Sequence, residues 1–203
     1  MKDEGEDLAP IINLKQALRS TEKESWIDAM WTEAAALTKN KTWTLVPRPP
    51  NSNIVSCKWL FTKKYDAHGT PITFKVQLVA RGFSQITDID YHETSSPTLR
   101  ITSLRLLLAI STYLNLEVHH VDIETTFLHG DLEETIYMEQ PKMMENDKYP
   151  DYVCKLHKPR YGLKQSPRQW YAKLHKFLLN ANFTRLYSEP NLYVWKPKSK
   201  FII

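Results

Sequence analysis

Asp122 is the residue whose setting most suggests chemistry. It closes the segment Glu117-Val-His-His-Val-Asp122, whose valines read as an apolar strand, and Phe127 follows five residues later. The end of a strand is where a rigid scaffold exposes a reactive group, although a capping or turn acid fits the same pattern. A second feature is a run of cations. Between Tyr152 and Ser188 stand eight bases (Lys155, Lys158, Arg160, Lys164, Arg168, Lys173, Lys176 and Arg185) and no acid, with Tyr161, Trp170 and Tyr171 among them. A solvated face usually mixes charge signs, so this run reads as a surface for a polyanion. The common catalytic templates are absent: no GxSxG, HExxH, Walker loop or GxGxxG occurs. His119 and His120 are neighbours on the expected strand and so point to opposite faces, one inward and one outward, which opposes joint metal ligation. Cys57 and Cys154 are far apart and form no CxxC pair; they suggest small buried strand residues rather than zinc or a disulfide framework.

These residues need elements to hold them. Trp26, Met30, Ala34 and Leu37 recur at helical spacing behind a Thr21/Glu24 capping box, which predicts a helix ending near Asn40. Thr42 to Val46 reads as a short strand, and the prolines of 47–52 as a loop. The β-rich stretches Ile54 to Tyr65 and Thr73 to Phe83, with turn chemistry at Asp66-Ala-His-Gly69, predict a long basic hairpin. Ile101 to Leu114, opened by Thr102 or Ser103, reads as a helix whose centre, Leu104 to Ser111, lies in the core. Thr135 to Gln140, Tyr152 to Leu156, Leu192 to Trp195 and Phe201 onward read as strands. Pro167 suits the first turn of a helix running to about Asn180. Strands fall in pairs rather than in strict βαβ alternation, so the fold class is α+β.

Composition sets the outer limits. The chain has 203 residues, 42% hydrophobic and 25% charged, which excludes wholesale disorder, collagen and a disulfide miniprotein. Five glycines are too few for a glycine-rich repeat. Residues 1–12 form an acidic segment, expected to be flexible, without the apolar stretch of a signal peptide. No apolar run is long enough to cross a bilayer. The expectation is an intracellular protein, cytoplasmic or nuclear, not secreted and without membrane contact. The net charge is +4 although the first ten residues carry four acids against one lysine, so the basic surplus lies in the remainder.

Longer blocks add a family resemblance. They are Trp26-Ile-Asp-Ala-Met30, Asn40-Lys-Thr-Trp-Thr-Leu-Val-Pro47, Cys57-Lys-Trp-Leu-Phe61, Leu78-Val-Ala-Arg-Gly-Phe83, Asp90-Tyr-His-Glu-Thr94 and Ser96-Pro97. Further on come Val121-Asp-Ile-Glu-Thr-Thr-Phe-Leu-His-Gly-Asp-Leu132, Ile136-Tyr-Met-Glu-Gln-Pro141 and Tyr161-Gly-Leu-Lys-Gln-Ser-Pro-Arg-Gln-Trp170. In this order and spacing they resemble the copia-type retrotransposon reverse transcriptase, over nearly the whole chain after about residue 14.

The resemblance implies a partial RNA-directed DNA polymerase domain over residues 13–203. Fingers, centred on the hairpin, would span about 41–100, and an incomplete palm, a mixed or antiparallel sheet with helices, about 101–203. Asp122 would be the first catalytic aspartate and a ligand of Mg²⁺, with the peptide carbonyl of Ile123 as a further ligand. Phe127 would close the sugar pocket against a 2′-hydroxyl. Gln165 would lie beside the incoming nucleotide, Lys75 near its triphosphate, and Lys164, Arg168 and Lys176 along the nucleic acid. The implied partners are an RNA or DNA template-primer and deoxynucleotides. The Tyr-Val-Asp-Asp turn of the family is expected beyond Ile203, which predicts a chain inactive by itself and prone to self-association through an unpaired sheet edge. A co-opted nucleic-acid-binding or interaction module and a decayed reading frame are the alternatives. Four departures stand inside the match: Val76-Gln77 where the family usually has Ala-Arg, Ser95 where it has Phe, Thr126 where it has Ala, and Arg160 where it usually has Leu.

Overall fold

The computed structural model describes residues 13–66, 68, 71–197 and 202; the acidic segment 1–12, Phe201 and Ile203 lie outside the described residues. The described chain opens with a short helix α1, Leu14–Arg19, and continues into α2, Lys23–Lys39. The α2 periodicity is met: Trp26, Met30, Ala34 and Leu37 are its buried residues, and Asn40 caps its end. The Thr21/Glu24 box is not formed. Glu22 stands at the cap of α2 without a side-chain bond. The capping box lies one helix earlier, where Asn13 Oδ1 accepts from Gln16 N at 3.0 Å and Gln16 Oε1 accepts from Asn13 N at 2.8 Å.

Strand β1 is Trp43–Val46, β2 is Ile54–Val55, and the hairpin consists of β3, Cys57–Tyr65, and β4, Pro71–Ala80. The hairpin register runs antiparallel from Cys57 opposite Ala80 to Lys64 opposite Thr73. Its inner face packs on α2: Trp26 sits edge-on to Phe61 at 5.6 Å and to Phe74 at 4.7 Å between ring centroids. Strands β5, Tyr137–Met138, and β6, Val153–Leu156, complete a four-stranded sheet of order β1-β6-β5-β2. Only the β2–β5 pair is parallel. Val55, Ile136, Met138, Cys154 and Leu156 carry the core from the hairpin into this sheet. Both cysteines lie on strands, Cys154 buried and Cys57 half-buried.

Helix α3, Ile101–Tyr113, and helix α4, Ser166–Asn180, form where the sequence places them, and Pro167 occupies the first turn of α4. Strands β7, Thr184–Arg185, and β8, Tyr193–Val194, form a small antiparallel pair against α4. Trp195 pairs with Ile202. The class is therefore α+β.

Two expectations fail in the middle of the chain. Helix α3 is not a core helix: it has no buried residue, and Leu106 is 61% and Tyr113 88% exposed. Its start is capped neither by Thr102 nor by Ser103, whose Oγ instead donates to Glu189 Oε2 at 2.8 Å. Residues 117–122 form no strand, because among the described residues no strand lies beside them to take their backbone hydrogen bonds. Val118 and Val121 stand exposed, and His119 and His120 both face outward rather than to opposite sides of a sheet.

Candidate functional site

The segment after Asp122 is shaped by local bonds. Thr125 adopts a left-handed backbone, φ 50°, uncommon for a β-branched residue, and it turns the chain into a 3₁₀ turn at Thr126–His129. Thr126 Oγ1 donates to the carbonyl of Ile123 at 2.5 Å, and His129 Nε2 lies 3.2 Å from the carbonyl of Glu124. Leu128, 5% exposed, anchors the turn in the core. This leaves Asp122 exposed and, among the described residues, without a hydrogen-bond or ion-pair partner.

The turn forms one wall of a cleft of about 470 Å³. Helix α2 supplies Thr32 and Glu33, β4 supplies Lys75 and Gln77, and residues 159–161 close the far side. Four residues singled out in the sequence, Lys75, Asp122, Ile123 and Phe127, therefore line one cleft although 47 positions separate the first two. The Phe127 ring meets Tyr161 edge-on at 4.5 Å between centroids. A second cleft of about 560 Å³, between the end of α2, β1 and the 140–146 loop, contains none of the candidate residues.

Arg160 lines the cleft from within. It is 3% exposed, and its Nη2 donates to Glu33 Oε1 at 3.2 Å and to the carbonyl of Leu78. Glu33 Oε1 also accepts the Leu78 amide at 3.2 Å. The pair thus satisfies both backbone groups of Leu78 on β4, while Arg160 Nε is buried without a partner among the described residues. Burial pulls the guanidinium below its ordinary pKa, and the charge of Glu33 opposes that shift. The sequence marks Arg160 only as a departure from the family; Glu33, 127 positions away, carries no signal.

The remaining candidates lie elsewhere. Gln165 is fully buried: its Nε2 donates to the Asp90 carbonyl at 2.8 Å, and its Oε1 accepts from Gln85 at 3.0 Å. Lys164 falls in the turn before α4, with Nζ 3.0 Å from Tyr91 Oη and 4.6 Å above that ring. Hydrogen bonds from Thr87 and Lys164 hold the Tyr91 phenol below its ordinary pKa. Arg168 pairs with Glu93 at 2.9 Å. Lys176 is exposed and, among the described residues, unpaired. The acid-free run is therefore met by acids from distant segments, since Lys158 and Lys173 also share Asp131, at 3.1 and 3.0 Å. Lys173 first, then Lys158, holds that carboxyl below the usual range. Among the described residues no three His, Cys, Asp or Glu side chains gather to hold a metal ion, and no helix is long and apolar enough to cross a membrane.

Comparison with known proteins bears on what this cleft belongs to. A family model described as "Reverse transcriptase (RNA-dependent DNA polymerase)" matches residues 40–203. The chain is 42% identical over 192 residues to the retrovirus-related Pol polyprotein from transposon TNT 1-94 of Nicotiana tabacum, covering 94% of this chain and 14% of that protein. It is 40% identical over 181 residues to the corresponding polyprotein from transposon RE1 of Arabidopsis thaliana, covering 89% of this chain and 12% of the relative. An uncharacterized mitochondrial protein of Arabidopsis thaliana is 41% identical over 100 residues, 49% of this chain and 59% of its own length. No solved structure matches. The chain spans about a seventh or less of the two polyproteins; with the match running from residue 40 to residue 203, it belongs to the reverse transcriptase family found in the Pol polyproteins of copia-type retrotransposons.

Proposed function

We propose that the chain supplies a nucleotide- and template-facing part of an RNA-directed DNA polymerase and that, by itself, it binds these partners without extending a primer. The observation that carries this reading is the cleft shared by Lys75, Asp122, Ile123 and Phe127. In it Lys75 meets a triphosphate, and the Phe127 ring, backed by Tyr161, leaves no room for a 2′-hydroxyl. Gln165 holds the Asp90 segment and the start of α4 in place, and Lys164, Arg168 and Lys176 face the nucleic acid. Fingers over about 41–100 and a partial palm over about 101–203 belong to this proposal, as does self-association through the outer strands of the sheet.

The family implies a divalent cation, Mg²⁺, which would stabilise charge on the transferring phosphates. The residues present do not fit it. Among the described residues Asp122 has no partner and no three His, Cys, Asp or Glu side chains gather to hold a metal, and the Ile123 carbonyl accepts the Thr126 hydroxyl. No step is therefore routed through a metal. What this chain's own residues do is bind and orient: cations offset phosphate charge, and affinity falls with salt as counterions are released. A second reading, a non-enzymatic nucleic-acid-binding or interaction module, or a decayed reading frame, draws on one observation. A buried guanidinium with an unmet Nε beside the cleft is a costly feature that nucleotide binding does not use.

The test is equilibrium binding of dATP and ATP to the chain mixed with an RNA–DNA hybrid in EDTA, followed by tryptophan fluorescence. The expected result is tighter binding of dATP, with Phe127→Ala erasing the difference and Lys75→Gln weakening both ligands. Equal affinities for the unmodified chain, or, in a parallel assay with deoxynucleotides and Mg²⁺, template-dependent primer extension lost in Asp122→Asn, would overturn the proposal.

A further inference from the structure

We infer that Thr126 keeps divalent cations off the Asp122 segment, by holding the carbonyl that a cation bound at Asp122 would need as its second oxygen. The inference rests on the proposed role of Asp122 and Ile123 as the two first-offered oxygen ligands, and it explains why the structure disagrees with that role.

A small hard cation such as Mg²⁺ takes six oxygens in near-octahedral array and gives up its water reluctantly, so one carboxylate at a surface holds it weakly. A neighbouring carbonyl makes a chelate only if a free lone pair is turned toward the carboxylate, and a hydrogen bond occupies one of its two. Here the Ile123 carbonyl accepts the Thr126 hydroxyl at 2.5 Å, at the short end of O–H···O bonds. The next carbonyl, of Glu124, faces His129 Nε2 at 3.2 Å. Two successive carbonyls are thus turned back onto side chains of the same 3₁₀ turn. The left-handed backbone of Thr125 makes this reversal, and Leu128, buried in the core, holds it.

Position 126 decides the outcome because its side chain is the donor. Alanine, the residue expected there from the resemblance, has no hydroxyl and leaves the carbonyl open. Threonine is stiff at χ1, so the hydroxyl stays where the turn places it. Asp122, exposed and without a partner among the described residues, then binds a cation no better than an ordinary surface carboxylate.

Mn²⁺ serves as the probe, titrated into the full chain without nucleotide or nucleic acid and read as free Mn²⁺ by electron paramagnetic resonance. Thr126→Ala and Thr126→Val are expected to tighten Mn²⁺ binding about fivefold, the net worth of one hydrogen bond. Thr126→Ser, which keeps the donor, should match the unmodified chain, and adding Asp122→Asn to Thr126→Ala should abolish the gain. Circular dichroism checks that each variant is folded. The inference is overturned if Thr126→Ala and Thr126→Val, both folded, bind no tighter than the parent, or if the parent already binds at tens of micromolar in an Asp122-dependent way. Because no nucleotide is present, a gain in Mn²⁺ affinity stands even if the dATP and ATP comparison fails, so the two ideas fall separately.

Discussion

Replacing Glu33 by alanine should unfold this chain more readily than its position on α2 suggests. The carboxylate is 18% exposed, but the guanidinium it faces is 3% exposed. Glu33 performs two tasks at once: it offsets the Arg160 charge at 3.2 Å and accepts the Leu78 amide at 3.2 Å. Removing one partner of a fully buried pair costs roughly 3–5 kcal/mol, because the remaining charge is left desolvated. Partial exposure of Glu33 lets water approach, and Arg160 keeps its bond to the Leu78 carbonyl, so about 3 kcal/mol is the expected loss. Arg160→Leu should cost less, about 1 kcal/mol, since it removes a desolvated cation and an unpaired Nε together with the ion pair. Once the guanidinium is gone, deleting Glu33 has little left to disturb, so the double variant should lie close to Arg160→Leu. The cycle then gives a coupling of about 3 kcal/mol. Urea unfolding at one protein concentration, near pH 7, measures all four corners. A Glu33→Ala chain within about 0.5 kcal/mol of the parent, the usual scale for neutral surface changes, would refute the reasoning and leave Arg160 a solvated side chain.

The other expectations are shorter. Trp26→Ala, deep among Phe61 and Phe74, should lose about 3–5 kcal/mol in the same urea assay. Trp26→Phe should cost far less, because the Nε1 it removes is buried without a partner among the described residues; equal losses would show that the indole N–H has one. Gly162→Ala should lower the thermal midpoint sharply, since its φ is +90° and a Cβ would lie 2.0 Å from the Ala80 carbonyl oxygen; an unchanged midpoint would mean that this backbone approach is not kept in solution. Burial pushes the Cys57 thiol up to about 11 and the Cys154 thiol up to about 12. Both thiols should therefore resist alkylation near pH 8 until urea unfolds the chain. The same raised values make stability complete below the ordinary thiol pKa of 9.0 and lost as pH climbs through about 11 to about 12; fast labelling of the folded chain at pH 8 would contradict this. The Asp131 carboxyl should titrate below the usual range by NMR and return toward it in Lys173→Gln, the first of its two partners; no movement would remove Lys173 as the cause.

What the sequence by itself determined was whatever depends on neighbours along the chain. The helical spacing of Trp26, Met30, Ala34 and Leu37 marks the buried stripe of α2, the alternation either side of Asp66 marks the hairpin, and Pro167 marks the start of α4. The ordered blocks from Trp26 to Trp170 also carry the family. Tertiary structure decided everything that depends on a partner far along the chain. Residues 117–122 have strand composition, but a strand exists only where another takes its hydrogen bonds, and none does among the described residues. Apolar spacing in α3 promises burial, yet burial needs a second surface. The run from Tyr152 to Ser188 looks unopposed because its counter-charges, Glu33, Glu93 and Asp131, sit outside it, and only folding brings them within about 3 Å. Gln165 shows the same limit: its motif marks it for a ligand, whereas the fold gives its amide to Asp90 and Gln85, because a polar group buried at that point must find its hydrogen bonds inside the protein.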